Sequence, residues 1–197
     1  MQLKRIFLDL DDVLNKFTVQ ALEHVGCKVT QQALNCYYEK VGWDILNAAN
    51  WLRPNNILTR KEFWDIFNRE DWANFPVSDE FEWLLDNCEA LVGKENICIL
   101  TSPVLDPGCA AGKMEWIYKH CPKWLHRQYL IGPPKHLCAH PNALLIDDSD
   151  KNVNEFSKYG GQAILVPRPW NSLHGKNTMK YLRDSFDELL RPFVRPY

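Results

Sequence analysis

Residues 3–14 read LKRIFLDLDDVL, and this segment constrains the fold more than any other. A short apolar run with the character of a buried strand stops abruptly at Asp9, Asp11 and Asp12. A run of this kind fits a parallel sheet covered on both faces. Open sheets of that type place their sites just past the carboxyl ends of the strands. Asp9 and Asp11 are two positions apart, so both point to one face if the strand continues. Two carboxylates aimed at one spot repel each other unless a cation or a shared proton intervenes. The segment therefore implies either a metal ion or an acid/base pair. The plain alternative is a strand followed by an acidic loop.

The rest of the chain repeats the first half of this pattern. Apolar runs recur at Arg5–Leu10, Asn96–Leu100, Arg127–Ile131, Ala143–Ile146 and Gln162–Val166. Helical patterns include Met114–Lys119, Lys151–Lys158 and Met179–Leu190. The alternation from residue 96 onward reads as an α/β fold, a Rossmann-like parallel sheet with helices on both faces. Thr18 to Val92 breaks the rhythm and carries no strand pattern. It reads as helices over Thr18–Val25, Gln31–Val41, Trp43–Asn50, Arg60–Phe67 and Asp79–Leu91, with Thr59 and Glu62 as a capping box for the fourth. A small helical cap inserted after the first strand would sit over the strand ends. The expected organisation is a core of 1–17 and 93–197 and a cap of 18–92.

Composition narrows the function. With 197 residues, 46% hydrophobic, the chain suits one domain with an inserted subdomain and a real core. A net charge of −2 gives no footprint for duplex nucleic acid. No run of about eighteen apolar residues occurs, so no membrane span is expected, and the amino terminus shows no secretory signal pattern. Seven cysteines without a CxxC argue for reduced thiols and a cytoplasmic location. His136, Cys138 and His140 alternate, but without a second paired cluster they read as loop residues rather than a zinc site.

Three further strand ends carry chemistry. Ile97–Leu100 runs into Thr101 and Ser102, whose hydroxyls can bind phosphate oxygens, although turn chemistry alone would also explain them. Tyr129–Ile131 runs into Gly132-Pro133-Pro134-Lys135, and Lys135 is the cation best placed to reach a site built from strand ends. Ala143–Ile146 runs into Asp147 and Asp148. Two converging acidic clusters call for a hard cation with oxygen ligands, and Mg2+ fits best. Asp9, Asp11, Asp147 and Asp148 are the candidate ligands, Asp11 through its backbone carbonyl. In chemical terms Asp9 suits a nucleophile forming an aspartyl-phosphate and Asp11 a general acid/base. Thr101, Ser102 and Lys135 suit phosphate binding, joined by Lys113 from a helix expected to start near Gly112.

The ordered set Asp9-Leu10-Asp11, Thr101, Lys135 and Asp147-Asp148 resembles the four motifs of the haloacid dehalogenase superfamily of aspartate-nucleophile phosphohydrolases. A narrower likeness runs through DLDDVL with Phe17, GWDILNAANWLRP, FWDIFNREDW, CILTSP, GKMEWIYKH and LLIDD, across most of residues 6–150. These stretches are similar to the 5′(3′)-deoxyribonucleotidase family. The resemblance implies a Mg2+-dependent phosphatase acting on (deoxy)nucleoside monophosphates. It implies that Phe17, Trp43, Trp64 and Trp72, the last interchangeable with Phe75, line a nucleobase pocket, and that Lys113 binds phosphate. It also implies a homodimer as the assembly to expect. Asp12 stands where that family usually has glycine, Ser149 where an arginine commonly follows, and beyond residue 150 little likeness can be placed. Aromatics at helical spacing are more often core than ligand box, and Trp51, Trp83, Trp116 and Trp124 are assigned to packing.

Two alternatives stay open. The same chemistry can serve another small phosphate ester, such as a sugar phosphate. A phospho-accepting signalling domain uses similar residues, but its acceptor aspartate comes from a middle strand and it lacks a long cap. A catalytically dead binding module fits poorly, because every motif residue is chemically competent.

Overall fold

The computed structural model describes residues 3–190. The outermost positions of the expected core, 1–2 and 191–197, lie outside the described residues. Five strands form one parallel sheet: β1 (Arg5–Leu8), β2 (Ile97–Thr101), β3 (Tyr129–Ile131), β4 (Ala143–Asp147) and β5 (Gln162–Leu165). Their order is β3-β2-β1-β4-β5. The strand that ends at Asp9 is therefore central, with β2 and β4 on either side. Leu8 pairs with Ile99 in β2 and with Ile146 in β4. Asp9, one residue on, comes level with Asp147.

Alternation along the strands assigns the two faces. Ile6, Leu8, Ile97, Ile99, Leu144 and Ile146 turn to the larger core, which includes Trp116 and Ile117 of α7 (Pro107–His120) and Leu182 and Phe186 of α9 (Thr178–Leu190). Phe7, Leu100 and Leu145 turn the other way, onto Phe156 of α8 (Asp150–Lys158). The sheet is thus covered on both sides, which accounts for its near-continuous apolar strands.

Between β1 and β2 lie six helices: α1 (Phe17–His24), α2 (Gln31–Val41), α3 (Ile45–Leu52), α4 (Arg60–Asp65), α5 (Arg69–Asn74) and α6 (Phe81–Val92). Their starts are chemically marked. Thr30 caps α2, Asp44 caps α3, and the Thr59/Glu62 capping box opens α4 as expected. The fourth helix stops at Asp65, earlier than the sequence pattern suggested. A separate helix, α5, follows behind its own box of Asn68 and Asp71. α6 packs against β1 and β2, as the crossover helix of a parallel pair does. The two chain crossings into and out of the preceding helices are joined side by side. Lys16 N–H donates to Pro76 O at 2.9 Å, Ser78 N–H to Leu14 O at 2.9 Å, and Asn15 and Val77 form an antiparallel bridge.

α5 lies close against α7. A Cβ on Gly112 would meet Trp72 Cβ at 2.4 Å and Arg69 O at 2.5 Å, so only glycine allows this approach. No helix among the described residues is long and apolar enough to cross a membrane.

Candidate active site

β1 ends one residue before Asp9, and the chain then turns instead of continuing as a strand. Leu14 and Asn15 N–H both donate to Leu10 O at 3.0 Å. Asp12 takes a left-handed backbone with φ of 59°. Asp11 therefore reaches the site from a turn and not from strand alternation, which corrects the geometric basis expected for the pair. The left-handed residue also explains why a glycine would suit position 12. Asp12 compensates with its carboxylate, which accepts from Thr18 N–H at 2.8 Å and Thr18 Oγ1–H at 2.5 Å. It thereby satisfies a free amide in the first turn of α1. Burial pushes the Asp12 carboxyl up to about 7, against the pull of the Thr18 hydrogen bonds.

Two buried lysines organise the charges. Lys135, in a short 3₁₀ turn after β3, reaches Asp9 Oδ1 and Asp147 Oδ2, each at 2.7 Å. Burial works to lower the Lys135 ammonium, but Asp9 and Asp147 outweigh it and hold the group above the ordinary lysine value. Lys113 bonds Asp11 and donates to Thr101 Oγ1 at 2.9 Å. Lys113 lies in the middle of α7, which starts at Pro107. The expected helix start near Gly112 is thus wrong: Lys113 acts through its long side chain, not through free amides. Ser102 Oγ–H faces Gly132 O at 3.4 Å, beside the same strand ends.

The second acidic pair divides its tasks. Asp147 is fully buried, and it accepts from Ser149 N–H at 2.9 Å and from Asn152 Nδ2 at 3.0 and 3.1 Å besides Lys135. Asp148 is partly buried and accepts from Trp170 Nε1–H at 2.6 Å. Asp9, Asp147 and Asp148 each offer an oxygen within 4.8 Å of the others, the one such group of His, Cys, Asp or Glu among the described residues. His136, Cys138 and His140 form none. Burial, then the neighbouring Asp147 and Asp11, push Asp9 up to about 7, with Lys135 opposing. Burial, followed by Asp12, Asp147 and Asp9, raises Asp148 well above the usual carboxylate range. Burial disfavours three ionised carboxylates here; with all three ionised against one ammonium, two negative charges would remain, the complement of one divalent cation with hard oxygen ligands. The residues present fit Mg2+.

The aromatic residues fall into two groups on either side of these charges. Phe17 stacks on Trp72 at 5.3 Å and on Trp64 at 6.4 Å, with Phe75 edge-on at 5.4 Å. Lys113 Nζ lies 5.5 Å from the Trp72 ring centre, which joins this group to Asp11 and Thr101. Trp72 is 2% exposed, and its indole N–H finds no acceptor among the described residues. Trp43 is not part of this group. It stacks on Trp170 at 5.3 Å, with Tyr37 edge-on at 6.0 Å. Of the tryptophans assigned to packing, Trp116 is fully buried, Trp83 meets Phe186 and Trp124 packs against the core. Trp51 is 43% exposed and is not a core residue, because only one side of it rests on Tyr37.

The sequence reading missed the segment after β5. Arg168 Nε–H donates to Asp12 O at 2.7 Å while its guanidinium pairs with Glu80 at 3.0 Å. Asn171 Nδ2 donates to Asp148 O at 2.9 Å. Residues 168–171 therefore brace both acidic segments. The same strand-end rule that found the other four segments pointed here too, since Gln162–Val166 is the fifth apolar run. A cavity of about 410 Å3 lies next to this segment, lined by Asp12, Lys16, Leu34, Glu80, Arg168 and Trp170 among others. None of Asp9, Thr101, Lys113, Lys135 and Asp147 borders it, so the strand-end chemistry is located by the charged residues and not by this cavity.

Comparison with known proteins bears on the fold and the family. No curated protein matches the chain. Among solved structures, a predicted phosphoglycolate phosphatase from Haemophilus somnus 129PT superposes with a TM-score of 0.56 at 16% identity, over 98% of this chain and 99% of its own. A HAD family hydrolase from Deinococcus radiodurans R1 with bound phosphate and sodium gives 0.56 at 14% identity, over 99% of each chain. A putative HAD-hydrolase, YfnB from Bacillus subtilis, bound to magnesium, gives 0.55 at 12%, over 84% and 87%. At these identities the likeness is one of fold. The family model described as "5' nucleotidase, deoxy (Pyrimidine), cytosolic type C protein" matches residues 3–190, well past residue 150, where the sequence alone placed little likeness. The chain has the haloacid dehalogenase fold and belongs to that deoxy 5′-nucleotidase family.

Proposed function

We propose that this protein is a Mg2+-dependent phosphatase that hydrolyses (deoxy)nucleoside monophosphates through an aspartyl-phosphate on Asp9. The observation that carries this reading is a buried lysine set against each key carboxylate, Lys135 against Asp9 (and Asp147) and Lys113 against Asp11, at the end of the central strand. Phosphate monoesters resist hydrolysis strongly, so a catalyst must place a nucleophile in line and neutralise the charge that gathers on the phosphoryl group.

Asp9 attacks phosphorus, the bond to the ester oxygen breaks, and Asp11 gives the leaving oxygen a proton. Asp11 then takes a proton from water as that water attacks the acyl phosphate, which releases inorganic phosphate and restores Asp9. The incoming phosphate competes with Asp11 for Lys113, so the dianion itself frees Asp11 for its role. Thr101, Ser102 and Lys113 bind the non-bridging oxygens, and Lys135 holds Asp9 in place and offsets charge beside it. The carboxylates of Asp9, Asp147 and Asp148, with the carbonyl of Asp11, would hold Mg2+, which when bound neutralises phosphoryl charge.

Phe17 and Trp64, both half-buried, offer apolar faces on the side of Lys113, and the buried Trp72 backs Phe17 from behind. Trp43 stands apart from them, stacked on the Trp170 that bonds Asp148. A panel of 5′- and 3′-nucleoside monophosphates and sugar phosphates, assayed for phosphate release with Mg2+, tests the reading. Turnover of nucleotides is expected. Strong turnover of sugar phosphates with none of nucleotides would overturn the substrate class, and no release from any ester would overturn the activity.

A further inference from the structure

We propose that Trp170 is a positioning residue that sets the Asp148 carboxylate for the divalent cation, and that the cap supports it through Trp43. The inference rests on the Mg2+-dependent reading above and extends it to residues outside the strand-end motifs. Asp147 is held by three protein donors besides its backbone surroundings, namely Lys135, Ser149 N–H and Asn152. Asp148 differs. Among the described residues its carboxylate accepts one side-chain hydrogen bond, from Trp170 Nε1–H at 2.6 Å on Oδ2. An indole N–H donates only, so it fixes one oxygen without competing as a metal ligand, and it leaves Oδ1 to face a cation. Partners of this kind, which orient a ligand without touching the metal, commonly govern metal affinity.

Trp170 is 5% exposed, so its ring cannot swing away without leaving a void. Asn171, the next residue, donates to the main-chain carbonyl of Asp148 and to Val166 O at 2.7 Å, which ties the same segment to β4 and β5. The face of Trp170 is covered by Trp43, which lies just before α3. The chain Trp43–Trp170–Asp148 thus runs from the cap to a cation ligand through one stack and one hydrogen bond. A displacement of the cap that carries Trp43 away removes the support of the indole that holds Asp148.

Trp170→Phe keeps an aromatic face for Trp43 and deletes the donor. Mg2+ binding measured by calorimetry without substrate should weaken by about tenfold, while phosphate release recovers most of its maximal rate at saturating Mg2+. Trp43→Leu, which alters no contact of Asp148, should weaken Mg2+ in the same direction but less. Unchanged Mg2+ affinity in Trp170→Phe overturns the inference even if the enzyme is active. Unchanged affinity in Trp43→Leu overturns the part played by the cap. Weakened Mg2+ binding in a protein that hydrolyses no ester leaves the positioning role standing and removes the phosphatase reading instead. If Trp170→Phe does not fold, the indole N–H resonance of Trp170 in nitrogen-15-labelled wild-type protein gives the answer. A shift that tracks Mg2+ addition supports the role, and an unmoved resonance overturns it.

Discussion

The two sides of the site are built by different physics. On the core side, Asp9, Thr101 and Asp147 sit at the ends of buried parallel strands, and their positions follow from pairing register. On the cap side, Trp64 and Trp72 come from short helices whose positions depend on capping groups and one close helix contact, and Phe17 meets them from the first position of α1. The core side is held by directed polar contacts, Lys135 to Asp9 and Asp147 at 2.7 Å and Lys113 to Thr101 Oγ1 at 2.9 Å, whereas the cap side is held by undirected ring stacking of Phe17 with Trp72 and Trp64. Under the proposed function, the core side would fix which reaction is available and the cap side what can be presented to it.

Substitutions can break or sharpen this contrast. The largest effect is expected on the core side. Asp9→Asn should lower phosphate release by at least about a thousandfold, because the nucleophile is lost and no neighbour can replace it; an assay of wild type and variant with Mg2+ checks this. Lys135→Met should destabilise the fold by about 3–5 kcal/mol, since it strands Asp9 and Asp147 without their shared cation. Denaturant unfolding in the absence of Mg2+ measures it. On the cap side the effects should be smaller and should appear in binding. Gly112→Ala should cost about 1–3 kcal/mol by forcing α5 from α7. Because Trp72 moves with α5, the Michaelis constant for nucleotides should rise more than the turnover number falls. If turnover falls and the Michaelis constant holds, the division of labour between the two sides is wrong. The smallest effect belongs to the junction. Asp12→Gly relaxes a left-handed backbone but removes two buried hydrogen bonds to Thr18, for a net loss of about 1 kcal/mol by thermal or denaturant unfolding.

The same contrast explains what could be read from the sequence. All five strands and the residues Asp9, Thr101, Lys135, Asp147 and Asp148 were legible because a buried parallel strand is an apolar run, and its end is marked by the first polar residue. α5 was not. Six residues give too little periodicity to separate a helix from its neighbour, and its location is set by Gly112, far along the chain. Only the Asn68-x-x-Asp71 box signalled it. Trp170 was hidden for a related reason: its partner Asp148 is 22 positions away, and Arg168 meets Asp12 across 156. Contacts of that span are determined by strand order, which one sequence does not display. Asp12 was visible as a departure from the resembled pattern, but its meaning waited on a backbone angle.

The ammonium of Lys135 shared by Asp9 and Asp147 has one more consequence. The protein carries an internal counter-ion at the point where the proposed reaction would need an external one. Shape and chemistry should thereby be uncoupled: with divalent ions withdrawn, the fixed ammonium still bridges Asp9 and Asp147 and offsets one of their two charges. A chelator should act on this protein as an inhibitor and not as a denaturant, which circular dichroism and phosphate release recorded on the same EDTA-treated sample would show.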